Sequence, residues 1–211
     1  VILTGAYETA TLFRGLREDL PLLAETSGKN AVIVTPNADL DLAAKDVAAS
    51  AFGHAGQKCS AASLVILVGS AADSKRFHNQ LIDDIRSLKV GYPQDPQTQM
   101  GPVIEPAQGK LLRGLTTLGE GEKWVLEPQQ LDESGKLWSP GVRSGVKRGS
   151  EYHLTEYFGP ILGVMTAETL EEAVSIVNDI DYGLTSGLHS LDSGEMAYWL
   201  ENIQAGNLYI N

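Results

Sequence analysis

The stretch GHAGQKCSAASLVILVG, residues 53–69, decides the fold class of this chain. Its second half, at 63–69, is a continuous apolar run of strand length, typical of a parallel strand covered on both faces. Similar runs predict further strands at 1–4, 31–35, 123–127, 159–165 and 207–211. The segments between them carry apolar residues at helical spacing and predict helices at 9–20, 39–52, 74–88, 105–118, 169–178 and 193–203. This alternation indicates a layered α/β fold with a mainly parallel sheet.

Composition narrows the function classes. The chain has 211 residues, of which 43% are hydrophobic, enough for a packed core. Its net charge of −11 repels nucleic-acid phosphates and anionic lipids, so we expect neither as a partner. The apolar runs are too short for a transmembrane segment. A single cysteine cannot form an internal disulfide, which favours a cytoplasmic location.

Two regions bear on how the chain is organised. Both ends, VILTG and GNLYIN, have the pattern of strands, so we expect the chain to be a piece of a longer protein. Residues 127–158 are richer in Gly, Pro and Ser, and we expect a long surface connection or a small hairpin there.

Several common motifs are missing from the sequence. It contains no P-loop, no G-x-G-x-x-G dinucleotide fingerprint and no H-E-x-x-H zinc motif. One cysteine and four scattered histidines give no cysteine-ligand zinc site, and we expect no metal.

The one cysteine, Cys59, has the setting of a nucleophile. Lys58 precedes it and small residues follow it, while Gly53 and Gly56 permit a tight turn. A neighbouring cation and free backbone N–H groups favour the thiolate form of a cysteine. Free backbone N–H groups also stabilise the oxyanion that forms when the thiolate attacks a carbonyl. The alternative is a buried cysteine that acts only as a small hydrophobe. A Cys–His pair with His54 also stays open.

A second candidate is Glu25, in the segment LAETSGKN. We expect it on a loop with Ser27 and Gly28, just before the strand at 31–35. A carboxylate there can act as a general base toward water. The alternative is an ordinary surface glutamate at the end of a helix.

Taken together, these residues resemble the aldehyde dehydrogenase superfamily. The matching motifs are VILTGA at 1–6, ETSGKN at 25–30, GQKCSA at 56–61 and EYFGP at 156–160, and Glu25 precedes Cys59 by the 34 residues typical of that family. The resemblance runs through essentially the whole chain. It implies a three-layer α/β/α catalytic domain at 27–211, truncated at both ends, preceded at 1–26 by the end of an NAD-binding, Rossmann-like domain.

The resemblance also implies a role for each matched residue. Cys59 would attack the aldehyde carbon, with its backbone N–H as half of the oxyanion hole, and Glu25 would activate the water that hydrolyses the thioester. The other half of the hole, an Asn in this family, would lie upstream of residue 1. Glu156 would bind the nicotinamide ribose and Phe158 would pack near the nicotinamide. Thr4 and Gly5 match a turn near the cofactor phosphates.

The chain departs from the family pattern at two positions. Ala6 stands where a serine is common, which puts one hydroxyl contact in doubt. Ser27 stands where many relatives have glycine, a change that we expect to leave the chemistry untouched.

The sequence around the cysteine is most similar to one branch, the L-glutamate γ-semialdehyde (1-pyrroline-5-carboxylate) dehydrogenases. The runs HLTEYFGPILGVM and YGLTSGLHSLD are closer still to bifunctional proline utilisation A proteins. In that branch the residue after the cysteine holds the substrate α-carboxylate, which implies this role for Ser60. Lys58 is a second candidate substrate contact, against the simpler alternative that it only shapes the turn.

The implied activity is oxidation of L-glutamate γ-semialdehyde to L-glutamate, the second step of proline catabolism. The cofactor would be NAD, with NADP not excluded, and FAD would belong only to a separate proline dehydrogenase domain. We expect a homo-oligomer, and we expect the 211 residues alone to be inactive. Two alternatives remain: an enzyme for another semialdehyde, such as succinate semialdehyde, and a non-catalytic oligomerisation module.

Overall fold

Nine strands and seven α-helices form the chain in the computed structural model, which describes all 211 residues. The strands are β1 (Ile2–Thr4), β2 (Leu23–Glu25), β3 (Asn30–Val34), β4 (Ala62–Val68), β5 (Lys123–Leu126), β6 (Gly141–Ser144), β7 (Ile161–Ala167), β8 (Thr185–His189) and β9 (Asn207–Ile210). The helices are α1 (Tyr7–Leu16), α2 (Leu40–Phe52), α3 (Lys75–Ser87), α4 (Gly109–Thr116), α5 (Glu151–Leu154), α6 (Leu170–Asn178) and α7 (Ser193–Asn202). None of these helices is long and apolar enough to cross a membrane.

Seven strands form one sheet in the order β5-β6-β7-β4-β3-β8-β9, in which only β5 runs antiparallel to its neighbour. The connection β3–α2–β4 steps across the sheet in one direction, and β7–α6–β8 steps back in the other. Because such crossovers are right-handed, α2 and α6 cover opposite faces. The predicted three-layer α/β/α architecture with a mainly parallel sheet is therefore confirmed.

The core lies on both faces of β4. Its side chains from Leu64 to Leu67 are fully buried, and they belong to an apolar cluster of 40 buried residues. In contrast, β1 and β2 form a separate parallel pair, and Ile2 and Leu23 on it are 85% and 73% exposed. The seven-stranded sheet is therefore the packed body of the molecule, with the two-stranded pair beside it.

The topology places three loops together at one edge of the large sheet. Strands β7, β4 and β3 are neighbours and parallel, so their amino ends lie side by side. The segments that lead into them contain EYFGP, GQKCSA and ETSGKN respectively. We call this side the amino edge and the opposite side the carboxyl edge.

The helix boundaries differ from the predicted ones at two places. The helix predicted at 9–20 ends at Leu16, because the chain must return through Pro21 to place β2 beside β1. The helix predicted at 105–118 begins only at Gly109, because Glu105 precedes a proline and is pushed to an extended conformation.

The long connection predicted at 127–158 is only partly correct. A small antiparallel bridge joins Gln130 to Trp138, as expected for a hairpin. However, the same region supplies β6, a largely buried internal strand of the sheet, and the short helix α5. Strands β2 and β8 were not predicted either.

Candidate functional site

A strained turn presents Cys59 at the amino edge. Helix α2 ends at Phe52, and in the following 3₁₀ turn His54, Ala55 and Gly56 have φ of 53°, 54° and 67°. Three consecutive left-handed residues are rare, because only glycine adopts this conformation without cost. At Gly56 a Cβ would lie 2.1 Å from the carbonyl oxygen of Gly159, so the turn before Cys59 packs backbone to backbone against the EYFGP segment.

Asn30 fixes the cysteine to the sheet. Its side-chain Nδ2 donates to the carbonyl oxygens of Cys59 at 2.7 Å and Ala61 at 2.9 Å. Its Oδ1 accepts from the backbone N–H of Thr185 at 3.1 Å. Asn30 is buried, so these three bonds tie the turn that carries Cys59 to both β3 and β8.

Gln57 links the same turn to two other segments. Its Nε2 donates to the carbonyl oxygen of Phe158 at 3.1 Å, and its Oε1 accepts from the N–H of Ile104 at 2.8 Å. Phe158 has φ of 55°, another non-glycine residue in the left-handed region. The bond from Gln57 therefore helps to hold a strained residue in place beside Cys59.

One cleft of about 400 Å³ gathers six of the eight residues that sequence analysis proposed for the site. Its lining includes Cys59, Glu25, Glu156, Phe158, Thr4 and Gly5. The thiol is exposed, so the alternative of a buried hydrophobic cysteine is wrong. The backbone N–H of Cys59 has no partner within the protein, as an oxyanion donor requires.

Glu25 lies in this cleft, but its backbone differs from the expectation. It is the last residue of β2, in register with Thr4 of β1, rather than a loop residue or the end of a helix. Its carbonyl oxygen accepts from the N–H of Gly5 at 3.1 Å. The strand pairing explains this, because Leu23 and Ala24 extend the β1 ladder although the segment is too short to be predicted.

Glu156 and Phe158 bring a second carboxylate and an aromatic ring to the same cleft. Glu156 Oε1 accepts from the N–H of Gly28 at 2.9 Å, which fixes the carboxylate and leaves Oε2 free for hydroxyl donors. Phe158 is 38% exposed and presents its ring in the cleft. No group of three or more His, Cys, Asp or Glu side chains is arranged to hold a metal ion.

Ser60, Lys58 and His54 lie outside this cleft. Ser60 lines a second cleft of about 310 Å³ with side chains of β3, β8 and α2. Lys58 is exposed at a small cavity beside Glu156 and Phe158. His54 lines a separate depression with Gln57 and is not hydrogen-bonded to Cys59, so the Cys–His pair is not formed.

Three residues at the site were not singled out from the sequence: Lys29, Asn30 and Gln57. Lys29 is 3% exposed, and its Nζ lies 3.9 Å from the centre of the Tyr152 ring. Burial, and after it the nearby Arg143 guanidinium, hold the pKa of Lys29 well below its usual value. The only available signal was that all three residues lie inside the matched motifs ETSGKN and GQKCSA.

Comparison with known proteins gives a consistent result. The chain is 35% identical over 191 residues to 1-pyrroline-5-carboxylate dehydrogenase of Geobacillus sp. (strain WCH70), covering 90% of this chain and 37% of that protein. It superimposes on proline utilization A (PutA) from Corynebacterium freiburgense with a TM-score of 0.96 and 56% identity, over 99% of this chain and 21% of that one. Against 1-pyrroline-5-carboxylate dehydrogenase from Thermus with bound NAD, the TM-score is 0.88 and the identity 31%, over 99% and 42% of the two chains.

The chain thus spans little more than a third of the length of the curated relatives that it matches. The profile described as the aldehyde dehydrogenase family matches residues 1–211, which is the whole chain. The chain therefore belongs to the aldehyde dehydrogenase family.

Proposed function

We propose that this chain carries the nucleophile of an NAD-dependent dehydrogenase that oxidises L-glutamate γ-semialdehyde to L-glutamate, the second step of proline catabolism. One observation carries the proposal: an exposed thiol, a carboxylate without a partner, a second carboxylate and an aromatic ring share a single cleft. These are Cys59, Glu25, Glu156 and Phe158. They supply a nucleophile, a general base and a support for the cofactor.

The residues of the cleft account for each step. The Cys59 thiolate attacks the aldehyde carbon, and the new alkoxide accepts a hydrogen bond from the Cys59 N–H. Bound NAD⁺ would supply the hydride acceptor. Loss of hydride from the thiohemiacetal leaves a thioester on Cys59. Glu25 removes a proton from the attacking water, and collapse of the adduct releases the carboxylic acid and the thiolate.

The substrate assignment rests on Ser60 and on the relatives. Two of the compared proteins are named 1-pyrroline-5-carboxylate dehydrogenase, and a third is proline utilization A. Ser60 follows the nucleophile and opens on a second cleft, so its hydroxyl can donate to the α-carboxylate of an amino-acid aldehyde. Lys58 is the weaker candidate, because the cavity that it lines is shared with Glu156 and Phe158, the residues proposed to hold the cofactor.

Other parts of the assignment remain predictions. They include a domain boundary near residue 26, supported by the separation of the β1–β2 pair from the large sheet. They also include a homo-oligomer, a cytoplasmic location, the choice between NAD and NADP, and FAD confined to a separate proline dehydrogenase domain.

Steady-state and rapid-mixing kinetics on the protein encoded by the whole open reading frame test this function. Cys59→Ala should lower NADH formation by about a thousandfold or more, because no other nucleophile is available. Glu25→Gln should keep a burst of about one NADH per site and then turn over about a hundredfold more slowly or worse, because only hydrolysis needs the base. Cys59→Ala with wild-type turnover would overturn the assignment.

The substrate is tested separately. For the wild-type protein, kcat/KM should favour glutamate γ-semialdehyde over succinate semialdehyde, and Ser60→Ala should narrow that preference by about tenfold while turnover of succinate semialdehyde changes little. Equal values for the two aldehydes would favour the alternative substrate. The isolated 211 residues should show no turnover, and absence of NADH formation from the whole protein would favour the oligomerisation module.

A further inference from the structure

Lys29 is a buried amine without a hydrogen-bond partner. It follows Gly28 at the amino edge and is 3% exposed, yet its Nζ reaches no protein acceptor. The Tyr152 ring, at 3.9 Å, and the Tyr157 ring, at 5.3 Å, are its nearest aromatic neighbours. Ring faces attract a cation but do not replace a hydrogen-bond acceptor, and an unpaired buried amine is costly.

Beside Lys29 lies a small cavity of about 20 Å³. Lys29, Glu156, Tyr152 and the backbone of Gly28 all contribute to its wall. This volume holds one water molecule, and the wall offers the polar partners that a buried water needs. The cavity therefore connects the unpartnered amine with the carboxylate proposed to bind the nicotinamide ribose.

The other charges nearby are already paired. The Arg143 guanidinium lies 4.2 Å from the centre of the Tyr152 ring and 4.6 Å from that of the Trp124 ring. Its Nη1 donates to Glu122 at 2.8 Å and to the carbonyl oxygen of Thr117 at 3.1 Å. Of the two carboxylates whose charge acts on Lys29, Glu122 is therefore engaged elsewhere. Glu156 is the remaining one, and only its Oε1 is used, by the N–H of Gly28.

We propose that Lys29 is a positioning residue for Glu156: Nζ–H donates to one water in the cavity, and this water donates to the Glu156 carboxylate. With the N–H of Gly28 on the other side, the carboxylate is held from two directions and aimed at the cofactor ribose. Lys29 itself does not touch the reacting atoms. The inference rests on the proposed role of Glu156 as a cofactor ligand.

A double-mutant cycle on the whole protein tests this link. Lys29→Met keeps the length of the side chain and removes the hydrogen-bond donor. It should raise the KM for NAD⁺ about tenfold, while the KM for the aldehyde should change by less than about twofold. In a Glu156→Gln background, the same Lys29→Met change should raise the KM for NAD⁺ by less than about twofold. A matched control, Lys45→Met on the exposed face of α2, should leave both constants unchanged.

Three further results decide the inference. A KM for NAD⁺ that rises by the same factor in both backgrounds, or not at all, would overturn it. If Lys29→Met fails to fold, a crystal structure of the wild-type protein decides: a water within hydrogen-bond distance of Nζ and Glu156 supports the inference, and a dry cavity contradicts it. NAD⁺ binding measured by quenching of tryptophan fluorescence needs no turnover, so a wild-type protein that binds no NAD⁺ would refute the proposed function rather than this link.

Discussion

The two edges of the seven-stranded sheet use their polar groups differently. At the carboxyl edge, four helices begin, and each has a side chain that accepts from the first-turn N–H groups: Asp39, Ser74, Thr169 and Asp192. At the amino edge, several polar groups have no partner within the protein: the Cys59 N–H, the Glu25 carboxylate, one oxygen of Glu156 and the Lys29 Nζ. The carboxyl edge uses these side chains to cap helices, whereas the amino edge leaves several polar groups without a partner.

The unpartnered polar groups locate the candidate site at the amino edge, whereas the usual rule for parallel sheets points to the carboxyl edge. In open parallel sheets, ligands commonly bind at the carboxyl ends of the strands. Here the cleft that holds Cys59 and Glu25 lies at the amino ends, because the strained turn after α2 and the close approach of Gly56 to Gly159 bring the loops before β4 and β7 together. The comparison of the two edges yields four predictions.

The largest effect is expected at Gly56, on the amino edge. Gly56→Ala places a Cβ 2.1 Å from the Gly159 carbonyl oxygen at a residue with φ of 67°, so backbone must move. We expect a loss of about 3 kcal/mol of stability and a fall of about a hundredfold or more in kcat/KM, because Cys59 moves with the turn. Urea unfolding and NADH kinetics measure both.

Gly53→Ala is the matched control in the same turn. Gly53 has φ of −53° and a Cβ there would meet nothing within 4 Å, so we expect a stability within about 1 kcal/mol of wild type. If the two alanine variants behaved alike, the contact between Gly56 and Gly159 would not hold the site together.

The next effect is expected at Asn30. Asn30→Ala removes three hydrogen bonds, to Cys59, Ala61 and Thr185, and should lower the free energy of unfolding by about 3 kcal/mol and kcat/KM by about tenfold or more. Asn37→Ala, on the carboxyl edge, removes one exposed bond to Glu195 and should cost less than about 1 kcal/mol with kcat unchanged. An unchanged kcat/KM in Asn30→Ala would show that the turn holds Cys59 without the sheet.

The sequence predicted the strands that form apolar runs and missed several that depend on distant partners. Strands β3, β4 and β7 are continuous apolar runs. Strand β6, in contrast, carries Arg143, which is buried only because Glu122 pairs with it, and β8 carries Ser186, whose hydroxyl donates to the Ala31 carbonyl oxygen. Contacts with such distant partners override the local strand propensity, and a short stretch of sequence does not reveal them.

The candidate site likewise has a part that local sequence predicts and a part that depends on distant contacts. Cys59 and Glu25 could be proposed from residue type, local setting and spacing. The groups that hold them could not, because their partners are remote in sequence: the bond from Gly28 to Glu156 spans 128 residues, and that from Thr185 to Asn30 spans 155. Only the neighbouring order of β7, β4, β3 and β8 brings those residues together.

A smaller effect is expected at the helix caps of the carboxyl edge. Ser74→Ala removes the acceptor for the N–H of Phe77 and should lower the stability by about 1 kcal/mol while kcat and both KM values stay at wild-type levels. Ser74→Gly should cost only a few tenths of a kcal/mol, because glycine leaves the helix end open to water. A fall in kcat for Ser74→Ala would mean that the two edges are coupled.

The last prediction concerns pH and is made for His153, an amino-edge residue whose ring nitrogens are both used. His153 is fully buried, its Nδ1 accepts from the N–H of Gly149 at 3.0 Å, and its Nε2 lies 2.9 Å from the Ile176 carbonyl oxygen, which assigns the neutral tautomer with the proton on Nε2. Burial lowers the pKa of His153 below its ordinary value of 6.5. The unfolded chain therefore binds the proton more tightly than the folded one.

The sign of the pH dependence follows from this lowered pKa. The stability that the neutral ring contributes is fully present above about pH 6.5 and declines as the pH falls below that value, by at most about 1.4 kcal/mol per pH unit. His189, whose pKa is also lowered by burial, acts in the same direction, so the informative quantity is the difference between wild type and His153→Gln. That difference in unfolding free energy should shrink between pH 7 and pH 5. A difference that stays constant between pH 7 and pH 5 would mean that His153 has the same pKa in the folded and the unfolded chain. Its buried hydrogen bonds would then not favour the neutral ring over the charged one.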